Sequence, residues 1–151
     1  MSRDLNRKDP VHGPGMQFDV PIRVRYFETD AMGVVHHANY LAYFEEARVE
    51  ALRRLGASYR VMEEEGFFLV ITRVELNYKR SALFDDQLTV RMRIERMTTV
   101  RIDHVYQIIR DGVVLVEGKT TLACVDKEGR PRALPDLLRP TSARQHLEGP
   151  N

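Results

Sequence analysis

The chain has 151 residues, of which 43% are hydrophobic and 30% are charged, proportions typical of one globular domain with a single core. Its 23 basic and 22 acidic residues leave a net charge of +1, which argues against nucleic acid as a partner, since that binding needs a strongly basic surface. The single cysteine, Cys124, excludes an internal disulfide framework and a cluster of thiolate zinc ligands.

Residues 1–17 contain Pro10, Gly13, Pro14 and Gly15 among polar residues, a composition typical of a mobile leader. Charges stand where a signal peptide needs an apolar stretch, and no run approaches the roughly 20 apolar residues that span a bilayer. We therefore expect a cytoplasmic protein with no membrane span. Its folded domain is predicted to cover residues 18–140, followed by a C-terminal tail or short helix over residues 141–151.

The first predicted strand covers Pro21 to Phe27, where the apolar residues Ile22, Val24 and Tyr26 alternate with arginines. Residues 28–35 follow neither period and contain Gly33, so we expect a loop there. A long helix is predicted from about residues 37–39 to Gly56. Its apolar stripe consists of Tyr40, Leu41, Phe44, Ala47, Ala51, Leu52 and Leu55, with Glu45, Glu46, Arg48, Glu50 and Arg53 mostly off it.

A second, shorter helix is predicted from Ser58 to Glu65, with Ser58 as its N-cap. Beyond it the period changes to two, which predicts strands at 67–78, 87–95, 100–110 and 113–125. The residues predicted to share one face of the first of these strands are Phe68, Val70, Thr72, Val74, Leu76 and Tyr78. The opposite face is also apolar at residues 67, 69 and 71, which indicates a second covering surface such as another subunit.

Asp111-Gly112 is a hairpin signal between the last two strands, and Cys124 is expected to be an ordinary core residue. Turns this short place successive strands side by side and antiparallel, so the last four strands are predicted to form a meander. Only one helix is long enough to cover the apolar face. The sequence therefore predicts an α+β fold, with one long helix on an antiparallel sheet of about five strands.

The most informative stretch lies between the first strand and the long helix, from Tyr26 to Tyr40. Asp30 is a carboxylate near an apolar junction, and the first helical turn offers N–H groups without internal partners and a partial positive charge. Such a pair can activate water and hold the oxyanion that forms at an attacked carbonyl. Residue types alone leave other interpretations open: Asp30 as a loop cap, Asn39 as a helix cap, Tyr40 as core, or His36 and His37 as a metal pair.

The pattern at this junction is Tyr26, Thr29-Asp30-Ala31, Gly33-Val34-Val35, His37-Ala38, Tyr40 and Ala47-Arg48. It continues in Asn77-Tyr78, Asp85-Asp86, Cys124-Val125-Asp126 and 131–135. Over about residues 20–138 it resembles the hotdog-fold acyl-CoA thioesterases of the 4-hydroxybenzoyl-CoA thioesterase group. Within that group it is most similar to the bacterial branch associated with the Tol-Pal envelope system. Met32 and His36 depart from the pattern, which typically has a smaller residue and an aromatic residue at these positions.

The resemblance implies a hotdog fold, in which a long helix is wrapped by an antiparallel sheet. It identifies Asp30 with the catalytic carboxylate, acting either as a general base on water or by direct attack on the thioester. His37 corresponds to the position at the helix start whose backbone N–H polarises the thioester carbonyl. Its imidazole corresponds to a histidine that can orient substrate or water.

Four further residues are implied to bind substrate. Gly33 and Tyr40 correspond to positions that shape the loop and the pocket. Thr98 and Thr99 lie in the turn where relatives contact the CoA moiety, although the sequence of that turn matches poorly.

The implied activity is hydrolysis of an acyl- or aroyl-CoA to the free acid and CoA. No metal and no redox cofactor is implied, since CoA is part of the substrate. A homodimer or homotetramer with its site between subunits is implied, in agreement with the strand that is apolar on both sides. Two other functions remain open at this point: a non-catalytic hotdog protein that binds acyl-CoA or an acyl carrier, and a hotdog dehydratase acting on hydroxyacyl thioesters.

Overall fold

A computed structural model describes residues 15–138; most of the predicted leader and the whole predicted tail lie outside the described residues. The elements are β1 Gln17–Arg23, α1 Asn39–Arg54, α2 Tyr59–Glu64, β2 Phe68–Tyr78, β3 Gln87–Met97, β4 Arg101–Arg110 and β5 Val113–Val125. Short 3-10 turns lie at Tyr26–Glu28 and Asp136–Leu138. No helix between residues 15 and 138 has the length and apolar character needed to cross a membrane.

The strands form one antiparallel sheet in the order β1-β3-β4-β5-β2. One face of this sheet packs on α1, which confirms the predicted α+β architecture and the hotdog fold. The predicted meander is correct for β3, β4 and β5, but wrong for β2, which pairs with β5 at the far edge.

Residues 79–86 explain this error, because they cross the end of the sheet instead of forming a tight turn. The amides of Lys79 and Arg80 both donate to Leu115 O, at 2.9 and 3.0 Å, so the crossing segment is anchored on β5. Crossing from one edge to β3 spans three strand spacings, roughly 14 Å, which this segment can easily reach when extended.

Helix α1 has the predicted apolar stripe, with Tyr40, Phe44, Ala47, Ala51 and Leu52 buried. Two predictions on this helix are wrong. Leu41 is 36% exposed, whereas Arg48 is buried at 6%. Arg48 can be buried because its guanidinium donates to Tyr106 Oη at 3.0 Å, and that hydroxyl also bonds Thr120 Oγ1 at 2.7 Å, which offsets part of the cost of removing the charge from water.

Strand β1 begins and ends four residues earlier than predicted, at Gln17 and Arg23. Its inward residues are Phe18, Val20 and Ile22, while Tyr26 belongs to a 3-10 turn and is 77% exposed. Pro21 lies inside the strand because β1 is an edge strand, where a missing N–H costs no ladder bond.

The predicted face of β2 is wrong because the strand has a bulge. Its register with β5 shifts between Ile71 and Arg73, so Thr72 is an extra residue and the alternation changes sides there. Ile71, paired with Leu122, therefore shares a face with Val74, paired with Thr120. Each face of β2 therefore carries odd-numbered residues on one side of the bulge and even-numbered residues on the other.

Several local predictions are confirmed. The Ser58 hydroxyl caps α2 by accepting from Val61 N at 3.1 Å. The Asp111-Gly112 turn joins β4 to β5, and Cys124 is fully buried in a cluster of apolar side chains.

Candidate active site

Asp30 lies on a short two-stranded segment between the 3-10 turn and α1. Thr29 and Val35 form a bridge pair, and Asp30 N donates to Val34 O at 2.8 Å. The Oδ1 atom of Asp30 accepts from Met32 N at 2.8 Å. The loop-cap interpretation of Asp30 is therefore correct, although it occupies only one carboxylate oxygen. Asp30 is exposed, and its other oxygen, Oδ2, accepts no hydrogen bond from residues 15–138.

Gly33 makes this tight loop possible. Its φ is +78°, a conformation that costs other residues free energy, and its amide donates to Asp30 O at 3.0 Å. The predicted role of Gly33 in shaping the loop is thus consistent with its geometry.

The start of α1 carries His36 and His37, whose rings stack with centroids 4.1 Å apart. His36 N donates to Glu28 O at 2.9 Å, and Ala38 N donates to His36 Nδ1 at 3.2 Å. The backbone N–H of His37 has no acceptor among the described residues. It therefore joins the unpaired N–H groups of the first helical turn as a donor available to a ligand.

The helix-cap interpretation of Asn39 does not fit the structure. The helix begins at Asn39 with Ala38 as its N-cap residue, so Asn39 is not the helix cap. Between residues 15 and 138, no three His, Cys, Asp or Glu side chains are grouped so that they could hold a metal ion.

Tyr40 is buried against the inner face of the sheet, as its core interpretation predicted. It is 3% exposed, and its ring lies 5.7 Å from that of Tyr78 and 5.9 Å from that of Tyr43. Its hydroxyl accepts from Ala82 N at 3.2 Å, and burial raises the pKa of the phenol. Tyr78, one ring away, donates to His37 O at 3.3 Å, so these aromatics line the inner side of the helix start.

Thr98 and Thr99 lie far from Asp30 within one subunit. The Asp30 segment is tied to the beginning of β3, through Val35 N to Ala82 O and the bridge between Val34 and Leu83. The 98–99 turn follows the other end of β3, roughly 30 Å away. Moreover, Thr98 Oγ1 accepts from Arg101 N at 3.0 Å and so stabilises its own hairpin.

Glu28 is a site residue that the sequence did not reveal. Its carboxylate is only 4% exposed and accepts from Arg25 N at 2.7 Å and from Tyr43 Oη at 3.1 Å. Burial, followed by the adjacent Glu28 charge, raises the pKa of Tyr43, so this phenol remains a donor. The only signal in the sequence is that Glu28 lies close to Asp30.

Asp30 and His37 lie on an open surface, whereas two grooves lie elsewhere on the chain. One groove of about 650 Å³ follows the outer side of α1 and includes Arg25, Glu28 and Tyr43. Another of about 330 Å³ lies on the opposite face of the sheet and includes Arg91 and Arg93. Asp30 and His37 line neither of these two grooves.

Comparisons with known proteins agree on one class of reaction. The model of the thioesterase-like superfamily matches residues 24–147. The acyl-CoA thioester hydrolase YbgC of Escherichia coli is 35% identical over 123 residues, covering 80% of this chain and 92% of that protein. The acyl-CoA thioesterase YbgC of Haemophilus influenzae is 34% identical over 133 residues, covering 87% and 96%. The solved DHNA-CoA thioesterase of Staphylococcus aureus has a TM-score of 0.75 at 33% identity, covering 78% and 80%.

Proposed function

Since this chain belongs to the thioesterase-like superfamily and is an acyl-CoA thioester hydrolase, we propose that Asp30 and the beginning of α1 form its active site. The observation that carries this proposal is that two groups without hydrogen-bond partners among residues 15–138 lie on one hydrogen-bonded segment. These are the Oδ2 atom of Asp30 and the N–H of His37, joined through the bridge between Thr29 and Val35. The carboxylate supplies a base, and the N–H with the helix dipole supplies positive charge for an oxyanion.

In the proposed reaction the thioester carbonyl oxygen accepts from His37 N–H, which draws electrons from the carbonyl carbon. Asp30 takes a proton from a water molecule as the water oxygen bonds to that carbon. The tetrahedral intermediate then collapses, the carbon–sulfur bond breaks, and the CoA thiolate leaves and is protonated. The products are the free acid and CoA, with no metal or redox cofactor in any step.

Direct attack by Asp30 is the other possible route. The carboxylate oxygen would bond to the carbonyl carbon and expel CoA, leaving a mixed anhydride that water then hydrolyses. The two routes differ in a single turnover in ¹⁸O water. After direct attack, water attacks the carboxyl carbon of Asp30, so the acid receives an unlabelled oxygen and the enzyme carries the label. General-base catalysis labels only the acid.

We propose that two subunits complete this site by pairing their β2 strands. In one subunit β2 is an edge strand, and its inward residues Ile71, Val74 and Tyr78 are 46%, 38% and 51% exposed. An isologous, antiparallel pairing would cover them and give both edges ladder partners. It would also bring the 98–99 turn, at one end of the partner's sheet, toward the helix start. We therefore propose a CoA contact by Thr98 and Thr99 only across subunits.

The substrate proposed for this site is an acyl- or aroyl-CoA held against Tyr40 and the Gly33 loop. Membership of the Tol-Pal-associated branch and a cytoplasmic location are proposed on the residue pattern around Asp30 and on the thioesterase relatives. Comparing specificity constants over a panel of aliphatic and aromatic acyl-CoA esters would identify the acyl group, because pocket contacts discriminate by about 1–3 kcal/mol per methylene.

The role of Asp30 is tested by Asp30→Asn. Asparagine retains the oxygen that accepts from Met32 N, so the loop should keep its shape, while the base is lost. We expect turnover of acyl-CoA, followed by thiol release, to fall at least roughly a hundredfold with an unchanged melting temperature.

Asp126→Asn is the matched control, because Asp126 caps a distant loop in the same manner, accepting from Glu128 N at 2.9 Å and Arg130 N at 3.0 Å. This variant should keep normal turnover. Near-normal hydrolysis by Asp30→Asn would remove Asp30 from the mechanism.

A further inference from the structure

We propose that Glu28 is a positioning residue of this hydrolase, which fixes the Asp30 segment on the start of α1 through Tyr43 and Asn39. The inference rests on the proposed function of Asp30 and His37. It assigns a role to a buried carboxylate that does not itself face the substrate.

The side chain of Glu28 connects two elements. Its Oε1 atom accepts from the backbone of Arg25 in the 3-10 turn at 2.7 Å and from the hydroxyl of Tyr43 on α1 at 3.1 Å. Its Oε2 atom accepts from Arg25 Nη2 at 3.3 Å. Hydrogen bonds to a buried carboxylate are stronger than those between neutral groups, so this contact holds the 3-10 turn firmly against the first turns of the helix.

The backbone of Glu28 makes a second connection to the same region. Its carbonyl oxygen accepts from His36 N at 2.9 Å and from Asn39 Nδ2 at 2.7 Å. His36 and Asn39 lie on either side of His37 and Ala38, the two residues that precede the helix. One carbonyl thus fixes the backbone that orients the unpaired N–H of His37.

These two connections place Glu28 between both halves of the proposed site. Two residues after Glu28 the chain reaches Asp30, and the bridge between Thr29 and Val35 transmits the position of the 3-10 turn to that carboxylate. Asn39 and Tyr43 lie one helical turn apart on α1, so they anchor Glu28 from the same side. A shift of 1 Å between a base and an oxyanion donor can reduce the rate about a hundredfold, so such a clamp matters for turnover more than for folding.

Tyr43→Phe tests this role with the loss of one hydroxyl. We expect turnover to fall roughly tenfold to a hundredfold with little change in KM, because the substrate still binds while the base and the donor are misaligned. Asn39→Ala, which removes the other connection, should have the same kinetic signature.

The matched control is Tyr59→Phe. Tyr59 belongs to α2 and lies beside the buried Arg48, away from Glu28. This variant should lower the melting temperature without lowering turnover. An unchanged turnover in Tyr43→Phe would overturn the inference.

A double-mutant cycle separates positioning from general destabilisation. In an Asp30→Asn background, Tyr43→Phe should lower the remaining turnover less than twofold, since it acts through Asp30. A full, additive loss in that background would overturn the inference. If Asp30→Asn itself retained normal turnover, the proposed function of Asp30 would fail instead, so the two failures are distinguishable.

Glu28→Gln and Glu28→Ala complete the test. Glutamine keeps an oxygen that can accept from Tyr43 and Arg25, so it should retain most of the turnover that alanine loses. Equal losses in the two variants, with both folded, would contradict positioning through these hydrogen bonds.

Discussion

Asp30 has two carboxylate oxygens with different surroundings, and the loop around it depends on one of them. Oδ1 accepts from Met32 N at 2.8 Å, and Gly33 returns the chain so that Val34 O can accept from Asp30 N at 2.8 Å. Oδ2, which accepts no hydrogen bond from residues 15–138, is therefore presented from a turn that is held by its own hydrogen bonds. This is the preorganisation that a general base needs.

Gly33→Ala tests this preorganisation. No atom lies within 4 Å of the added Cβ, so the substitution causes strain only through its positive φ, at a cost of roughly 1–2 kcal/mol. We expect the exposed loop to relieve this strain by shifting. Turnover should then fall at least roughly tenfold, while the melting temperature changes by only a few degrees. Kinetic assays and thermal unfolding of the same preparation measure both effects, and a large loss of stability with normal turnover would contradict this account.

The sequence indicated the positions of some functional and buried residues but not of others. A carboxylate next to the start of the long helix predicted a possible small-molecule site. The roles of Asp30, Gly33 and His37 in that site came from the resemblance to the hotdog thioesterases. Glu28 and Arg48 were missed because charged residues are normally exposed. Their burial depends on tertiary contacts: Tyr43 of α1 donates to Glu28, and Tyr106 of β4 accepts from Arg48.

Helix α1 packs very closely on the sheet at Gly118 of β5. A Cβ built on Gly118 would lie 2.6 Å from Phe44 Cζ and 3.1 Å from Leu76 Cδ2, and the Phe44 ring also stacks on Tyr106 with centroids 4.1 Å apart. Only a residue without a side chain allows the fully buried Phe44 to occupy this position. The contact sets the distance between the helix and the sheet.

Gly118→Ala should therefore destabilise the fold. Overpacking of a core costs about 1–3 kcal/mol, which corresponds to roughly 2–12 °C in melting temperature for a protein of this size. The double variant Gly118→Ala with Phe44→Leu should be more stable than the sum of the two single effects, because leucine vacates the space that the new methyl group needs. Denaturant unfolding of the four proteins measures this coupling, and strictly additive effects would show that Phe44 does not set the distance.

The elements themselves were largely predictable from their periods. Helix α1 and strands β3, β4 and β5 lie close to their predicted bounds because a period of 3.6 or 2 runs through most of each. The pairing registers nevertheless shift after Ile94 in β3 and after Ile108 in β4. The bulge at Thr72 was not predictable, since an extra residue in a strand leaves no mark on composition. The separation of β2 from β3 was missed because residues 79–86 are short enough to be mistaken for a turn.

At the scale of the whole molecule, one subunit leaves part of its apolar surface without a cover. The inward face of β2 continues past the edge of α1, and Ile71, Val74 and Tyr78 are exposed there. Edge strands with exposed apolar residues tend to pair with another chain. The proposed second subunit at this edge would cover the apolar face and close the open candidate site.

Ile71→Lys tests this assembly. A charge in the middle of the proposed interface should give monomers in analytical ultracentrifugation and should reduce turnover, since we propose that the site is completed between subunits. Val61→Lys is the control, because Val61 is 50% exposed on α2 and not on the proposed β2 interface. It should change neither property. An oligomer of unchanged size and full activity in Ile71→Lys would place the subunit contact elsewhere.

The most direct measurement is a crystal structure of the Asp30→Asn protein with an intact acyl-CoA bound. The account predicts the thioester carbonyl oxygen within hydrogen-bond distance of His37 N, with residue 30 on the opposite side of the carbonyl carbon and paired β2 strands beside it. A thioester bound in either groove on the outer surfaces, with residue 30 facing solvent, would contradict the account.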